Sequence, residues 1–152
     1  MDEAEAGERD PRDRLGAALR TATGAVAHSG HETMSSAAAM IGAGLIGRSW
    51  AMVFARAGWN VRVYDSVPTQ LETAREHIES GLTEQQAYGL ADDAAAAAAR
   101  IDYVADLEQA LAGVDWVQEN TPEVLDVKRE MYPRIDRATP PAAILASSKV
   151  SS

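Results

Sequence analysis

Cysteine is absent from this chain of 152 residues, so disulfide bonds, a thiol nucleophile and cysteine metal ligands are excluded. Basic residues are scarce: 14 Lys and Arg stand against 23 Asp and Glu, which gives a net charge of −9. This acidic excess argues against nucleic acid or an anionic membrane as the main partner. No apolar run approaches the ~20 residues of a membrane-spanning helix, and the acidic N-terminus has no apolar secretory signal. We therefore expect a cytoplasmic protein whose main partner is neither nucleic acid nor a membrane.

Large apolar side chains are few in residues 1–33, so this segment cannot bury a core and we expect a disordered extension. Met34 stands just before the first apolar run and is a candidate for the native start. The folded domain is expected at 34–152. His28 and His31 lie in the extension, and we predict no metal site there or elsewhere.

Short apolar runs alternate with helical patterns along residues 34–152. We predict strands over 37–41, 61–64, 101–104, 115–118 and 142–146. We predict helices over 45–57, 68–80, 94–99, 106–111 and 125–137, with a further helix that begins at Thr83, after Gly81. Alternation of this kind is typical of an α/β fold in which a doubly wound parallel sheet is covered on both faces.

A glycine motif, G-x-G-x-x-G, lies between the first strand and the first helix. Gly42 permits a sharp turn, Gly44 lets the backbone approach a pyrophosphate, and Gly47 allows close packing of helix and sheet. The backbone N–H groups of Leu45 and Ile46 would then face the anion at the positive end of the helix dipole. The motif alone could also be an ordinary strand-to-helix turn, so its context decides the interpretation.

An acidic residue, Asp65, ends the second strand 18 residues after Gly47. This spacing is close to the ~20 residues expected for the acid that binds the adenine ribose in a Rossmann-type fold. A carboxylate there would repel the 2′-phosphate of NADP, so NAD is the predicted cofactor. FAD would use the same glycine fingerprint and remains an alternative. Asp65 could also be only a helix cap or a solvated acid.

Three sequence blocks resemble one enzyme family. The run IGAGLIGRSWA at 41–51 resembles the 3-hydroxyacyl-CoA dehydrogenase superfamily, and its RSWA ending is most similar to the lambda-crystallin or L-gulonate 3-dehydrogenase branch. The segments VQENTPE at 117–123 and VKREMY at 127–132 are similar to the family sequence after strand four, and ILASS at 144–148 is a weaker match. The resemblance implies an NAD-dependent oxidoreductase of 3-hydroxy acids or 3-hydroxyacyl-CoA, within fatty acid metabolism.

The same resemblance implies site residues at the nicotinamide end. Glu123 and Lys128 match the family glutamate and lysine that contact this end of NAD, although both could simply be solvated residues around a helix start. Ser147 and Ser148 lie in the region of the family's substrate-contacting serine, whose own position is occupied by Val150.

The family's catalytic histidine and glutamate come later in the chain than this sequence extends, and no histidine follows His77. We therefore expect a truncated chain, without the C-terminal strands, the helical domain or any catalytic residue, that binds NAD without turnover. The resemblance implies a hydroxy acid or acyl-CoA substrate and a homodimer for the intact enzyme. The alternative from another functional class is a non-catalytic NAD(H)-binding module or an inert truncated gene product.

Overall fold

Five strands and five helices make up the part of the chain that the computed structural model describes, residues 36–121 and 125–148. The strands are β1 (Ala37–Ile41), β2 (Asn60–Tyr64), β3 (Ile101–Val104), β4 (Trp116–Glu119) and β5 (Ile144–Ser147). The helices are α1 (Leu45–Arg56), α2 (Pro68–Ala87), α3 (Ala94–Ala99), α4 (Leu107–Leu111) and α5 (Leu125–Ala138). The predicted disordered extension, 1–33, lies outside the described residues.

All neighbouring strands pair in parallel, in the order β3-β2-β1-β4-β5. The chain runs outward from β1 to β3 on one side and then continues at β4 on the other side. The strand order therefore reverses between β1 and β4, where open α/β sheets bind their ligands beyond the carboxyl ends of the strands. The predicted Rossmann-type, doubly wound parallel sheet is confirmed.

Buried side chains form two separate layers, one on each face of the sheet. The layer under α1, α2 and α3 is centred on Phe54, whose ring packs edge-on to Trp59 at 4.9 Å between centroids. The opposite layer, under α4 and α5, contains Leu107, Leu111 and Ile135. Because both faces are covered, the strands are apolar along most of their length and only their ends are open to a ligand.

The predicted break at Gly81 is wrong, because α2 continues as one helix of 20 residues from Pro68 to Ala87. A Cβ atom at position 81 would lie 2.8 Å from the sulfur of Met52 in α1. Gly81 therefore allows two helices to approach closely and does not end the helix. The chain turns instead at Gly89, whose φ of +75° favours glycine.

Strands β4 and β5 begin later than predicted, for local reasons. The carboxylate of Asp115 accepts a hydrogen bond from the backbone N–H of Ala37 at 2.9 Å, so Asp115 precedes β4 instead of belonging to it. Ala143 donates to the carbonyl of Pro140 at 2.9 Å in a turn, which delays β5 to Ile144. The six-alanine run forms α3 as predicted, and Asp93 caps it.

Candidate functional site

Four residues that directly follow strands lie in a row at the carboxyl edge of the sheet. Strand pairing aligns the last residues of β2, β1, β4 and β5 with one another. The next residues along each strand are Asp65, Gly42, Asn120 and Ser148. The glycine motif, Asp65 and the end of β5 therefore converge on one edge of the sheet.

The first and third glycines of the motif are required by close backbone approach. Gly42 has a φ of +107°, and a Cβ atom on it would lie 3.0 Å from the carbonyl oxygen of Asn120. A Cβ atom on Gly47 would lie only 2.0 Å from the carbonyl oxygen of Gly42. The Gly42 N–H also donates to the carbonyl of Tyr64 at 2.8 Å. The turn is therefore fixed against both neighbouring strands and has no room for larger residues.

Gly44 differs from these two glycines, because a Cβ atom on it would meet no described atom within 4 Å. It is the N-cap of α1, and no side chain of the described residues caps the helix there. Leu45 and Ile46, which follow it, are 74% and 52% exposed. The first N–H groups of a helix have no intrahelical acceptor and carry the positive end of the helix dipole. The space next to Gly44 therefore fits a pyrophosphate.

Asp65 is held by two backbone donors. Its Oδ2 accepts from the Ala43 N–H at 3.0 Å, inside the glycine turn, and its Oδ1 accepts from the Val67 N–H at 2.9 Å. The second bond closes a short turn before α2, whose N-cap is Val67, so Asp65 does not cap the helix as the alternative had it. Each carboxylate oxygen has a further lone pair, so Asp65 can still accept hydrogen bonds from ribose hydroxyls. The carboxylate therefore orders the glycine turn at the carboxyl edge of the sheet.

A buried carboxylate, Glu119, lies at the end of β4 and is 2% exposed. Its Oε1 accepts from the backbone N–H of Thr121 at 2.8 Å and from the Thr121 hydroxyl. Its Oε2 accepts from the Ser147 hydroxyl at 2.8 Å and from the Tyr132 hydroxyl at 3.2 Å. Burial raises the pKa of Glu119, but these hydrogen bonds outweigh burial and hold the pKa below its ordinary value.

Asn120 connects the glycine turn to β5. Its backbone N–H donates to Ile41 at 2.8 Å, and its side-chain amide donates to the Gln118 carbonyl at 3.1 Å. Its Oδ1 accepts from the Ser148 hydroxyl at 2.9 Å. In the sequence, Asn120 stands out only as part of a matching block, which does not indicate its place in the site. One signal did indicate that Asn120 lies at the carboxyl edge of the sheet: it directly follows a buried strand, as Asp65 follows β2.

The residues predicted at the nicotinamide end are only partly placed. Glu123 lies outside the described residues. Lys128 lies in α5, with its Nζ 5.9 Å from the centroid of the Tyr132 ring. Ser147 donates to Glu119, and Ser148 donates both to Asn120 and to the Glu119 carbonyl. The roles of Glu123, Lys128, Ser147 and Ser148 toward a ligand stay predictions.

Other candidates from the sequence add no second site. His77 lies in α2 and its ring contacts the Arg48 side chain, whereas His28 and His31 lie outside the described residues. Within residues 36–121 and 125–148, no group of three His, Cys, Asp or Glu side chains could hold a metal ion. Over the same residues, no helix has the length and apolar composition needed to cross a membrane.

Curated relatives are similar to this chain over about 110 residues. An L-carnitine dehydrogenase of Streptomyces coelicolor is 38% identical over 110 residues, which cover 72% of this chain and 34% of the relative. Lambda-crystallin of Oryctolagus cuniculus is 35% identical over 112 residues, which cover 72% of this chain and 35% of the relative. The chain thus spans about a third of the length of these curated relatives.

The fold is also shared with solved dehydrogenase structures. The crystal structure of 3-hydroxybutyryl-CoA dehydrogenase from Escherichia coli K12 superposes with a TM-score of 0.69 at 28% sequence identity. The match covers 78% of this chain and 25% of that chain.

A family model covers nearly all of the described domain. The model of the 3-hydroxyacyl-CoA dehydrogenase NAD-binding domain matches residues 37–152. It includes the glycine turn, Asp65 and the whole row of strand ends, so the resemblance noted in the sequence is confirmed. The chain belongs to the NAD-binding domains of the 3-hydroxyacyl-CoA dehydrogenase family, and its cofactor is NAD.

Proposed function

We propose that this domain holds NAD for the oxidation of the CH–OH group of a 3-hydroxy acid or a 3-hydroxyacyl-CoA. The observation that carries the proposal is the uncapped start of α1 at Gly44, next to a glycine turn that Asp65 fixes. When bound, NAD accepts the hydride that leaves the hydroxyl-bearing carbon. The domain's own contribution is to bind the cofactor and to orient it at the edge of the sheet.

The two halves of the cofactor would lie on opposite sides of β1. Asp65, at the end of β2, would accept hydrogen bonds from the adenine-ribose hydroxyls, and the N–H groups after Gly44 would hold the pyrophosphate. The nicotinamide half would then extend over the ends of β4 and β5. Lys128 and Glu123 would orient the nicotinamide ribose, and the Ser147–Ser148 segment would lie toward the substrate.

The substrate class is proposed from what the similar proteins have in common. Those named here include an L-carnitine dehydrogenase and a 3-hydroxybutyryl-CoA dehydrogenase, whose names both indicate oxidation of a hydroxyl-bearing substrate. A role in fatty acid metabolism would follow if the substrate is an acyl-CoA. The cytoplasmic location, the homodimer of the intact enzyme and the absence of nucleic-acid and membrane partners stay predictions.

Calorimetric titration of the full chain with NAD and NADP tests the proposal. We expect NAD to bind more tightly, because the Asp65 carboxylate repels the 2′-phosphate of NADP. Asp65→Asn should reduce the difference between the NAD and NADP affinities, since it removes the charge of the side chain and keeps its shape. Asp102→Asn is the matched control, because Asp102 is an exposed acid on the neighbouring strand β3. Equal binding of NAD and NADP by the unmodified chain, or no binding of NAD, would contradict the proposal.

A further inference from the structure

The Glu119 cluster, formed by Glu119, Thr121, Tyr132 and Ser147, links three parts of the chain around one buried carboxylate. Thr121 belongs to the segment after β4, Tyr132 lies in the second turn of α5, and Ser147 is the last residue of β5. Each of these residues donates a side-chain hydrogen bond to the carboxylate, and Thr121 also donates its backbone N–H. The donors are all neutral, so no counter-charge from these residues explains the burial of the carboxylate.

A buried carboxylate that accepts several hydrogen bonds fixes the geometry of the groups that donate them. Its two oxygens offer about four acceptor directions, and the four donors of the cluster account for that number. Hydrogen bonds to an ionised acceptor are about twice as strong as neutral ones, so the donors are held in narrow positions. Replacing the cluster with apolar side chains would retain packing but lose this directional control.

The cluster lies where the nicotinamide half of the cofactor is placed by the proposed function, on which this inference rests. Glu119 aligns with Ile41 on one side and with Ser147 on the other, and Asp65 lies two strands away on the adenine side. The Lys128 Nζ is 5.9 Å from the ring centroid of Tyr132, whose hydroxyl Glu119 holds. The carboxylate of Glu119 therefore tethers the turn of α5 that holds Tyr132, four residues after Lys128.

We infer that Glu119 is a positioning residue for the nicotinamide half of NAD: it holds the segment after β4, helix α5 and the end of β5 in one arrangement. It acts through Thr121, Tyr132 and Ser147 and needs no contact with the cofactor. The adenine half, held at Gly44 and Asp65, does not depend on it.

The test compares two ligands, one with the nicotinamide half of NAD and one without it. The full chain and its variants are titrated with NAD and with ADP, which has the adenine, its ribose and the pyrophosphate but neither the nicotinamide nor the ribose attached to it. Glu119→Gln keeps the size of the side chain and removes its charge, so an amide group must face donors on at least one side. Tyr132→Phe removes a single donor and keeps the ring, and it decides the matter if Glu119→Gln does not fold. Asp115→Asn is the matched control, because it makes the same isosteric change at the opposite end of β4.

We expect both cluster variants to weaken NAD binding roughly 10- to 100-fold, the scale seen when outer partners of metal ligands are removed. ADP affinity should change less than about twofold, and Asp115→Asn should leave the ratio of the two affinities unchanged. Parallel losses for both ligands that follow the melting temperature would show a merely structural role and overturn the inference. An unchanged affinity ratio in both cluster variants would also overturn it. If the unmodified chain binds neither ligand, the proposed function fails as well.

Discussion

Gly44→Ser is expected to separate folding from cofactor binding. The backbone at Gly44 is extended, with φ −72° and ψ −171°, and a Cβ atom there meets no described atom within 4 Å. Serine is a better N-cap than glycine by a few tenths of a kcal/mol, because its hydroxyl accepts from the N–H groups of the first turn. The fold should therefore be unchanged or slightly more stable. The same hydroxyl, however, occupies the donors that the pyrophosphate needs.

The loss of binding can be sized from hydrogen-bond energies. A hydrogen bond to a charged group contributes about 1.5–3 kcal/mol, so losing one such bond weakens NAD binding about 10- to 100-fold. At an NAD concentration of 100 times Kd, bound cofactor stabilises the unmodified domain by about 2.7 kcal/mol. A 100-fold weaker variant would gain only about 0.4 kcal/mol at that concentration. At about 4 °C per kcal/mol, the NAD-induced rise in Tm should fall from about 10 °C to about 2 °C.

Thermal melts followed by circular dichroism, with and without NAD, measure both quantities at once. Gly44→Ala separates the two parts of the substitution, because it adds the Cβ atom without the hydroxyl. We expect Gly44→Ala to bind NAD better than Gly44→Ser while melting at a lower temperature, since alanine is a poor N-cap. If Gly44→Ser shows the same NAD-induced rise in Tm as the unmodified chain, the phosphate does not bind at this helix start and the reasoning is refuted.

Two further predictions concern stability. Gly47→Ala should lower Tm by several degrees and abolish NAD binding. The reason is that its Cβ atom would lie 2.0 Å from the Gly42 carbonyl oxygen, so the turn must shift. A variant with unchanged Tm and unchanged NAD affinity would contradict this prediction. The pKa of Tyr103 is raised from 10.0 to about 12, mainly by burial and also by the nearby charge of Glu79, while Arg75 opposes the shift. This contribution to the free energy of unfolding is fully present below pH 10 and is lost as the pH rises toward 12. In urea titrations, the free energy of unfolding of Tyr103→Phe should therefore fall less over this pH range than that of the unmodified chain.

The sequence was sufficient for the architecture because strand order and motif position follow from local patterns. Strand β1, the glycine turn and Asp65 are consecutive features of one unit, and each has a spacing set by backbone geometry. Gly81 was misassigned because the sequence does not distinguish a glycine that ends a helix from one that admits a neighbour. Its neighbour Met52 lies 29 positions earlier, in another helix, so no local sequence pattern includes both residues.

The Glu119 cluster shows the corresponding limit for the site. Glu119 was visible only as one acidic residue in a matching block, and its four hydrogen bonds come from residues up to 28 positions away. Whether such a carboxylate is solvated or buried depends on how α5 and β5 pack against β4. Residues that follow strands can be located from the sequence pattern. A hydrogen-bond network between elements can be located only when the packing of those elements is known.

The last prediction is that the 152-residue chain binds NAD but shows no dehydrogenase turnover by itself. Oxidation of a hydroxyl group requires a base that accepts the proton, and such a base contributes about 10²–10⁴-fold. Glu119 is unsuited to this role, because its pKa lies below the ordinary value and its oxygens already accept hydrogen bonds from the protein. His77 is in α2, the helix that follows Asp65, on the adenine side of the proposed site.

Substrate positioning is the second contribution to the rate. Correct placement of the reacting groups can supply about 7–11 kcal/mol of a barrier, and the chain spans only about a third of its curated relatives. NADH absorbance should therefore stay flat with L-carnitine or 3-hydroxybutyryl-CoA as substrate, and should rise when the chain is joined to the C-terminal part of an intact relative. Steady turnover by the chain alone, abolished by Asp65→Ala, would show that a base within residues 1–152 carries the reaction.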